Sequence, residues 1–176
     1  YFTALFQATR LLVAATAILI CCLILVAGIK ESAWVEIAFT LLEAAGLVMI
    51  IIFGLPYLGR VNYFEVARGI DGLFEAAALI FFAYIGFESV ARLSEETKDP
   101  RRSIPLAILA SLAISTLLYV GVAIASVSVV GWEQLAKSEA PLALVASTAL
   151  GSGAFKLLTI IALFATFNTV LAIMLT

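Results

Sequence analysis

The stretch LFEAAALIFFAYIGFESVARLSEETKDPRRSIP, residues 73–105, contains the feature around which we interpret the whole chain. It begins as an apolar helix, but Gly86 interrupts the run and the acidic residue Glu88 follows two positions later. A carboxylate inside a lipid-length helix is costly, so a retained one is a candidate functional residue. Backbone that loses its helical hydrogen bonds at membrane depth is tolerated only where it is buried in protein or lines a cavity. We therefore predict a broken-helix binding site near Gly86.

The overall composition indicates a membrane protein. Of the 176 residues 64% are hydrophobic, and the mean hydropathy is +1.18, whereas soluble domains are about 45–50% apolar. The net charge is only −2 and no basic run is longer than Arg101-Arg102, so we expect no nucleic-acid partner. Histidine is absent, and the adjacent Cys21 and Cys22 are typical of lipid-facing or packed thiols. We predict neither an enzyme, nor a metal site, nor a cofactor.

Five apolar stretches reach or approach the ~20 residues that cross a hydrocarbon core of ~30 Å. They are residues 11–28, 36–58, 73–91, 104–130 and 157–176, of which the third is broken near Gly86. Residues 131–156 contain Pro141 and an apolar run too short to cross, so we predict an interfacial helix there. The chain starts at Tyr1 without methionine and stops inside an apolar run, so we expect a fragment. We predict an all-α polytopic membrane protein, with residues 1–176 as a single transmembrane region.

The distribution of lysine and arginine predicts the orientation. Loops 29–35 and 92–103 together carry five of these residues, and the opposite side also carries five. The first five lie in much shorter loops, and a high local density of Lys and Arg is typical of the cytoplasmic side. We therefore predict that loops 29–35 and 92–103 are cytoplasmic.

Glu43 is the candidate functional residue of the second span. It lies seven residues beyond Glu36, which we interpret as a structural acid in the first helical turn. Seven helical residues span about 10 Å, so the Glu43 carboxyl should lie beyond the reach of headgroup water. Ala44, Ala45 and Gly46 beside it are small and favour close packing inside a helix bundle. The alternative is a carboxyl that only hydrogen-bonds to neighbouring helices.

The last span carries three polar residues, Thr166, Asn168 and Thr169. Hydroxyls in lipid-buried helices usually hydrogen-bond to their own backbone, and this is the alternative to a functional role for each threonine. Asn168 is costlier to bury and should have a partner. We include Thr166 and Asn168 among the candidates for ion or proton coupling.

Two segments resemble amino acid permeases of the amino acid–polyamine–organocation (APC) family. The sequence FFAYIGFE at 81–88 is similar to the sixth helix of these permeases, and EE at 95–96 with KDPRRSIP at 98–105 is similar to the loop after it. The turn GIKES at 28–32 resembles the link between the fourth and fifth helices. The resemblance implies a five-helix fragment, helices four to eight, of a LeuT-like inverted-repeat transporter.

The resemblance also implies secondary active transport of an amino acid or related amine across the plasma membrane, with the orientation given above. In the family, the position matching Phe82 holds a gating aromatic, although simple packing is the alternative. The family's substrate amino group meets the backbone at the positions matching Ala83, Tyr84, Ile85 and Gly86. An exchanger, a sodium-coupled symporter, or a non-transporting sensor or subunit on the same fold remain alternatives.

The coupling ion is where the chain departs from the family. Proton-coupled members often carry a lysine at the position matching Glu43, and the eleven-residue spacing from Glu43 to Gly54 supports that alignment. The family's eighth helix carries a hydroxyl pair, of which this chain has Ala165 and Thr166. Because desolvation favours the neutral form of a carboxyl, we predict proton coupling through Glu43, with Glu88 as the second candidate. Sodium is the alternative, because carboxylates are good hard-cation ligands.

Overall fold

The computed structural model describes residues 10–66, 68–86 and 97–175. Every regular element in these ranges is helical, and the predicted all-α class is confirmed. A 3₁₀ turn, Leu55–Tyr57, follows the second of seven α-helices in these ranges. The α-helices are α1, Arg10–Ala27; α2, Ile29–Gly54; α3, Gly69–Phe82; α4, Pro100–Val130; α5, Trp132–Lys137; α6, Pro141–Leu150; and α7, Ser152–Leu175.

Three described helices are long and apolar enough to cross a membrane. They correspond to the predicted spans 36–58, 104–130 and 157–176, and their membrane-length segments are Ser32–Tyr57, Pro100–Val130 and Ser152–Met174. The described apolar part of α1, Ala14–Val26, is shorter, and α3 has only 14 residues. Length and composition therefore support an integral membrane protein. All five predicted spans fall on or overlap a helix, but their boundaries differ from the observed ones.

Helix α2 begins at Ile29, seven residues before the predicted start of its span. It follows α1 after the single residue Gly28, and the Ser32 hydroxyl donates to the carbonyl oxygens of Gly28 at 2.9 Å and Ile24 at 3.2 Å. These bonds join the two helices without a loop. Glu36 consequently lies two turns inside α2 and not in its first turn, so our interpretation of Glu36 as a helix-start acid was wrong. Apolarity marks the hydrocarbon boundary, whereas backbone geometry decides where a helix starts.

Helix α4 likewise starts before its apolar run. Asp99 has φ +52°, and Pro100 occupies the first helical turn, where its missing N–H has no intrahelical partner to lose. The Ser103 hydroxyl donates to the Lys98 carbonyl oxygen at 3.1 Å. The polar residues 100–103 thereby extend α4 beyond the predicted span 104–130.

Helix α2 lies at the centre of the packing, against α1, α4, α6 and α7. Its last residue, Gly54, approaches α4 so closely that a Cβ placed there would lie 2.6 Å from the Cβ of Ala125. A separation this short is available only to glycine. Small residues let membrane helices approach until their backbones nearly touch.

Helix α6 is part of the core and not a surface helix. Ala143, Val145 and Ala146 are fully or almost fully buried, and they pack with Ile50 of α2 and Leu158 of α7. The prediction of an interfacial helix at 131–156 concerned its depth in the membrane and stays a prediction. Length excludes a full crossing, but it does not reveal that alanine and valine allow this helix to enter the bundle.

Helix α3 is 14 residues long and none of its residues is buried, a feature that it shares only with the six-residue α5 among the described α-helices. Its sequence is as apolar as that of α2. Because it buries no residue of its own, its position depends on contacts made beyond its end. Those contacts involve the residues that follow Phe82.

Candidate functional site

The backbone leaves the α-helix at the end of α3. The helix ends at Phe82, and residues 83–86, which we call the break, form a turn. Within it the amides of Ala83, Tyr84 and Ile85 donate to carbonyl oxygens three residues earlier, at 2.9, 3.1 and 3.3 Å. This tighter pattern replaces the i→i−4 bonds of an α-helix. The interruption therefore begins at Ala83, three residues before Gly86.

Gly86 itself has φ +116°. Side-chain-bearing residues rarely adopt this conformation, whereas glycine does so at little cost. A Cβ placed on Gly86 would meet nothing within 4 Å. The requirement for glycine is thus conformational, and it does not arise from crowding around the break.

Two tyrosines and one threonine attach the break to α4. The Tyr119 hydroxyl donates to the Ala83 carbonyl oxygen at 3.0 Å. The Tyr84 hydroxyl lies 2.9 Å from Thr116 Oγ1, and the rings of Tyr84 and Tyr119 meet edge-to-face at 5.4 Å. Because the single hydroxyl proton of Thr116 is donated to the Leu112 carbonyl oxygen at 2.8 Å, Tyr84 must be the donor.

The sequence analysis missed both α4 residues, because it named no candidate residue in the span 104–130. Thr116 and Tyr119 are three residues apart, which places them on one face of the helix. The sequence did contain a signal for them. The span has no charged residue beyond its first turn, so two hydrogen-bonding side chains on one face indicate polar partners on another element. Their partners lie more than thirty residues away in the chain and could not be identified from it.

The other predicted residues of the substrate site are open to the surroundings. Phe82 is 66% exposed and Ile85 is 59% exposed, so neither is packed against the described part of the protein. The candidate Glu88 lies outside the described residues.

Glu43 of α2 lies at the contact of this helix with α7, which is a second polar location. Its side chain is half-buried and lines a cavity of about 250 Å³. Thr166 and Ala165 of α7 line the same cavity, which brings together three positions that the sequence analysis linked. The Thr166 hydroxyl donates to the Ala162 carbonyl oxygen at 2.9 Å, as expected for a threonine in a membrane helix. The Thr166 oxygen can also accept a hydrogen bond.

Asn168 is buried, with 8% exposure, and its partner is Thr40 of α2. The Asn168 Nδ2 donates to Thr40 Oγ1 at 3.1 Å, and the Asn168 side chain also neighbours the Glu43 carboxyl. Thr40 lies between Glu36 and Glu43 on one face of α2, at the i+4 and i+7 spacing. We call Glu36, Thr40, Glu43 and Asn168 the polar cluster.

The polar cluster contains acceptors without donors. Within the described ranges, Glu36 Oε1, Glu43 Oε1 and Asn168 Oδ1 are buried atoms that have no hydrogen-bond partner. Buried polar atoms are nearly always paired, because an unpaired one loses its interactions with water without replacement. Three oxygens of this kind along one interface favour a proton, a cation or another donor group as occupant. No residue of the break lines the cavity beside Glu43.

Comparison with known proteins identifies the relatives of the chain. The family described as "Amino acid permease" matches residues 2–176. The branched-chain amino acid permease BcaP of Bacillus subtilis is 37% identical over 123 residues, 69% of this chain and 26% of the relative. The methylthioribose transporter of the same organism is 36% identical over 112 residues, 63% of this chain and 24% of the relative.

A plant protein shows similar identity. Cationic amino acid transporter 1 of Arabidopsis thaliana is 35% identical over 101 residues, 57% of this chain and 17% of the relative. The chain thus spans about a quarter or less of the length of these relatives. No solved structure matches the chain.

Proposed function

Because the chain belongs to the amino acid permease family, we propose that it is part of a secondary active transporter for an amino acid or a related amine. The relatives named above are called permeases or transporters, which points to a transporter rather than an enzyme. The observation that carries the proposal is the end of α3 at Phe82 followed by the break. In a membrane segment this apolar, backbone that leaves the α-helix is tolerated where it is buried in protein or lines a cavity, which supports a binding role for the break.

The break supports an ammonium group as the part of the substrate that it binds. The C-terminal end of a helix carries partial negative charge on its last carbonyl oxygens, and α3 presents that end at residues 80–83. We assign substrate binding to the backbone of Ala83, Tyr84, Ile85 and Gly86, and gating to Phe82. Since Phe82 is 66% exposed, it is free to close over a bound molecule.

The substrate class follows from the family description and from two of the three relatives. The Bacillus permease is named for branched-chain amino acids and the Arabidopsis protein for cationic ones. Methylthioribose is the second candidate, because a relative of nearly equal identity is named for it. Leucine, arginine and methylthioribose are therefore the three probes to test.

We assign coupling to the polar cluster, with a proton as the coupling ion. Glu43 is the proton carrier of the proposal, with Asn168 and Thr166 beside it and Glu88 as the second candidate. The support is the set of buried acceptor oxygens without donors, since a proton on Glu43 would convert one acceptor into a donor. Sodium is the alternative, because the same oxygens are hard-cation ligands. We further propose the plasma membrane as the location, with residues 29–35 and 92–103 on its cytoplasmic side.

The test is uptake by the full-length protein reconstituted into liposomes, with tritiated leucine, arginine or methylthioribose as probes. A proton gradient and a sodium gradient are imposed separately. We expect uptake driven by the proton gradient, and we expect Glu43→Gln to abolish that drive. The matched control is Glu133→Gln, which removes an exposed carboxylate of α5 and should leave uptake unchanged.

Three outcomes would change the assignment. Uptake driven by sodium alone contradicts proton coupling. Proton-driven uptake by Glu43→Gln at the wild-type rate moves the carrier to Glu88. Uptake of methylthioribose without uptake of either amino acid contradicts the proposed substrate class.

A further inference from the structure

Ala83 is the first residue beyond α3, and its carbonyl oxygen is held by Tyr119 of α4 at 3.0 Å. Helix α3 buries none of its own residues, so it has no packed face that would fix its end. Tyr84 and Ala83 join the break to α4 through their contacts with Thr116 and Tyr119. Two hydrogen bonds to hydroxyl groups and one ring contact thus attach the break to α4.

We infer that Tyr119 and Thr116 are positioning residues for the substrate site, an inference that rests on the proposed transport function. Tyr119 occupies one carbonyl oxygen of the break and orients the next peptide groups. Thr116 Oγ1 accepts a hydrogen bond from the Tyr84 hydroxyl, which holds the Tyr84 side chain against α4. Tyr84 therefore contributes its backbone to substrate binding, while its ring and hydroxyl attach the break to α4.

The chemistry explains why tyrosine suits this role in an apolar surrounding. A phenol combines a large apolar ring with one strong donor at its tip. A carbonyl oxygen left by the end of a helix would be costly to leave unpaired in lipid or in a dry cavity. Any displacement of α4 relative to the bundle would be transmitted to the break through these two hydrogen bonds and the ring contact. Helix α4 thereby becomes part of the substrate-binding machinery and not only a scaffold.

The experiment removes single hydroxyls in the full-length protein. Tyr119→Phe keeps the ring contact with Tyr84 and deletes only the bond to Ala83. Ser111→Ala is the matched control, because Ser111 lies on the same helix and its hydroxyl donates only within α4, to the Ile108 carbonyl oxygen at 3.0 Å. Two readouts are measured: KM and maximal rate for tritiated leucine and arginine, and the rate at which a membrane-impermeant maleimide labels Ile85→Cys in a cysteine-free background.

We expect Tyr119→Phe to raise KM and to change the labelling rate at position 85, each by about two- to tenfold, the range that one hydrogen bond contributes. We expect Ser111→Ala to change neither quantity. A merely structural role would lower the amount of folded protein without changing KM, and an unchanged KM together with unchanged labelling overturns the inference.

Thr116→Val and Tyr84→Phe provide an independent check. They remove two sides of one hydrogen bond, so the double variant should alter the labelling rate no more than the stronger single variant. Strictly additive effects would show that the two hydroxyls do not act through each other. If the wild-type protein transports neither amino acid but Tyr119→Phe still changes labelling, the attachment of the break stands and the proposed function fails.

Discussion

The break and the polar cluster are both polar places in an apolar bundle, but they are built in opposite ways. At the break the polar groups are uncharged, and the Ala83 carbonyl oxygen and the Tyr84 hydroxyl are each paired with a hydroxyl of α4. In the polar cluster they belong to side chains, include two carboxyls, and retain three buried oxygens without partners in the described ranges. The break is largely exposed, whereas Asn168 of the cluster is 92% buried, the complement of its 8% exposure.

This difference matches the two tasks that we propose for these regions. A neutral, exposed backbone segment that is held by hydroxyls suits a molecule that binds, is enclosed and leaves. An acidic, half-buried cluster with unpaired acceptor oxygens would suit a small ion that alters the balance of charge between two packed helices. Substitutions at the break should therefore change transport more than stability, and substitutions between α2 and its neighbours should change both.

The largest effect on transport is expected for Gly86→Leu. A leucine at φ +116° is strained by about 1–3 kcal/mol, so the break should change conformation and uptake should fall by about 10- to 100-fold. The control is Gly59→Leu. Gly59 lies in an exposed loop and, like Gly86, has a positive φ, +80°, and open space around the position of a Cβ. Normal uptake by Gly86→Leu, measured in liposomes, would show that the break does not bind substrate.

The largest effect on stability is expected for Gly54→Ala. The new Cβ would lie 2.6 Å from Ala125, so α2 and α4 must separate, at a cost of about 1–3 kcal/mol. Thermal unfolding of the purified full-length protein measures this effect. The double variant Gly54→Ala with Ala125→Gly should recover much of the loss. An unchanged unfolding temperature for the single variant would mean that the two helices do not approach so closely.

A smaller effect is expected for Asn168→Leu. Leucine preserves the volume but removes the donor to Thr40, which costs about 0.5–1.5 kcal/mol of stability. Asn168→Leu should lower proton-driven uptake more than Thr40→Val does, because Asn168 neighbours both Thr40 and Glu43. Equal losses in the two variants would limit the role of Asn168 to its bond with Thr40.

The smallest effect is expected for Phe82→Ala. Phe82 is 66% exposed, so its removal should leave the unfolding temperature unchanged. If its ring closes over the substrate, KM should rise by about two- to tenfold, the contribution of one aromatic contact. Phe81→Ala is the matched control, because Phe81 is 70% exposed and points about 100° away around the same helix. Equal KM changes in the two variants would contradict a specific gating role.

The break was accessible to prediction because its signal is local. A glycine inside an apolar run, with an acidic residue two positions later, marks a helix that cannot continue unchanged. The prediction placed the interruption at Gly86, and α3 already ends at Phe82, because the tight turn needs several residues to leave the helix. The role of Glu88 stays a prediction, since it lies outside the described residues.

The partners of the polar residues were not accessible in the same way. Asn168 and Thr40 are 128 residues apart, and Tyr119 and Ala83 are 36 apart. The sequence analysis predicted that Asn168 should have a partner, but many hydroxyls met that requirement equally well. It also placed Glu36 in a first helical turn, because the start of the apolar run was taken as the start of the helix.

The sequence by itself determined that this chain is an all-α membrane protein with an interruption near Gly86, because hydrophobic length and the conformational freedom of glycine are local properties. It also determined which side chains would be costly to bury, since that cost depends on residue type alone. Only the tertiary structure decided that α6 enters the core, that α4 holds the break, and that Asn168 meets Thr40. These outcomes depend on which helix faces pack together, and packing is a property of the assembled bundle.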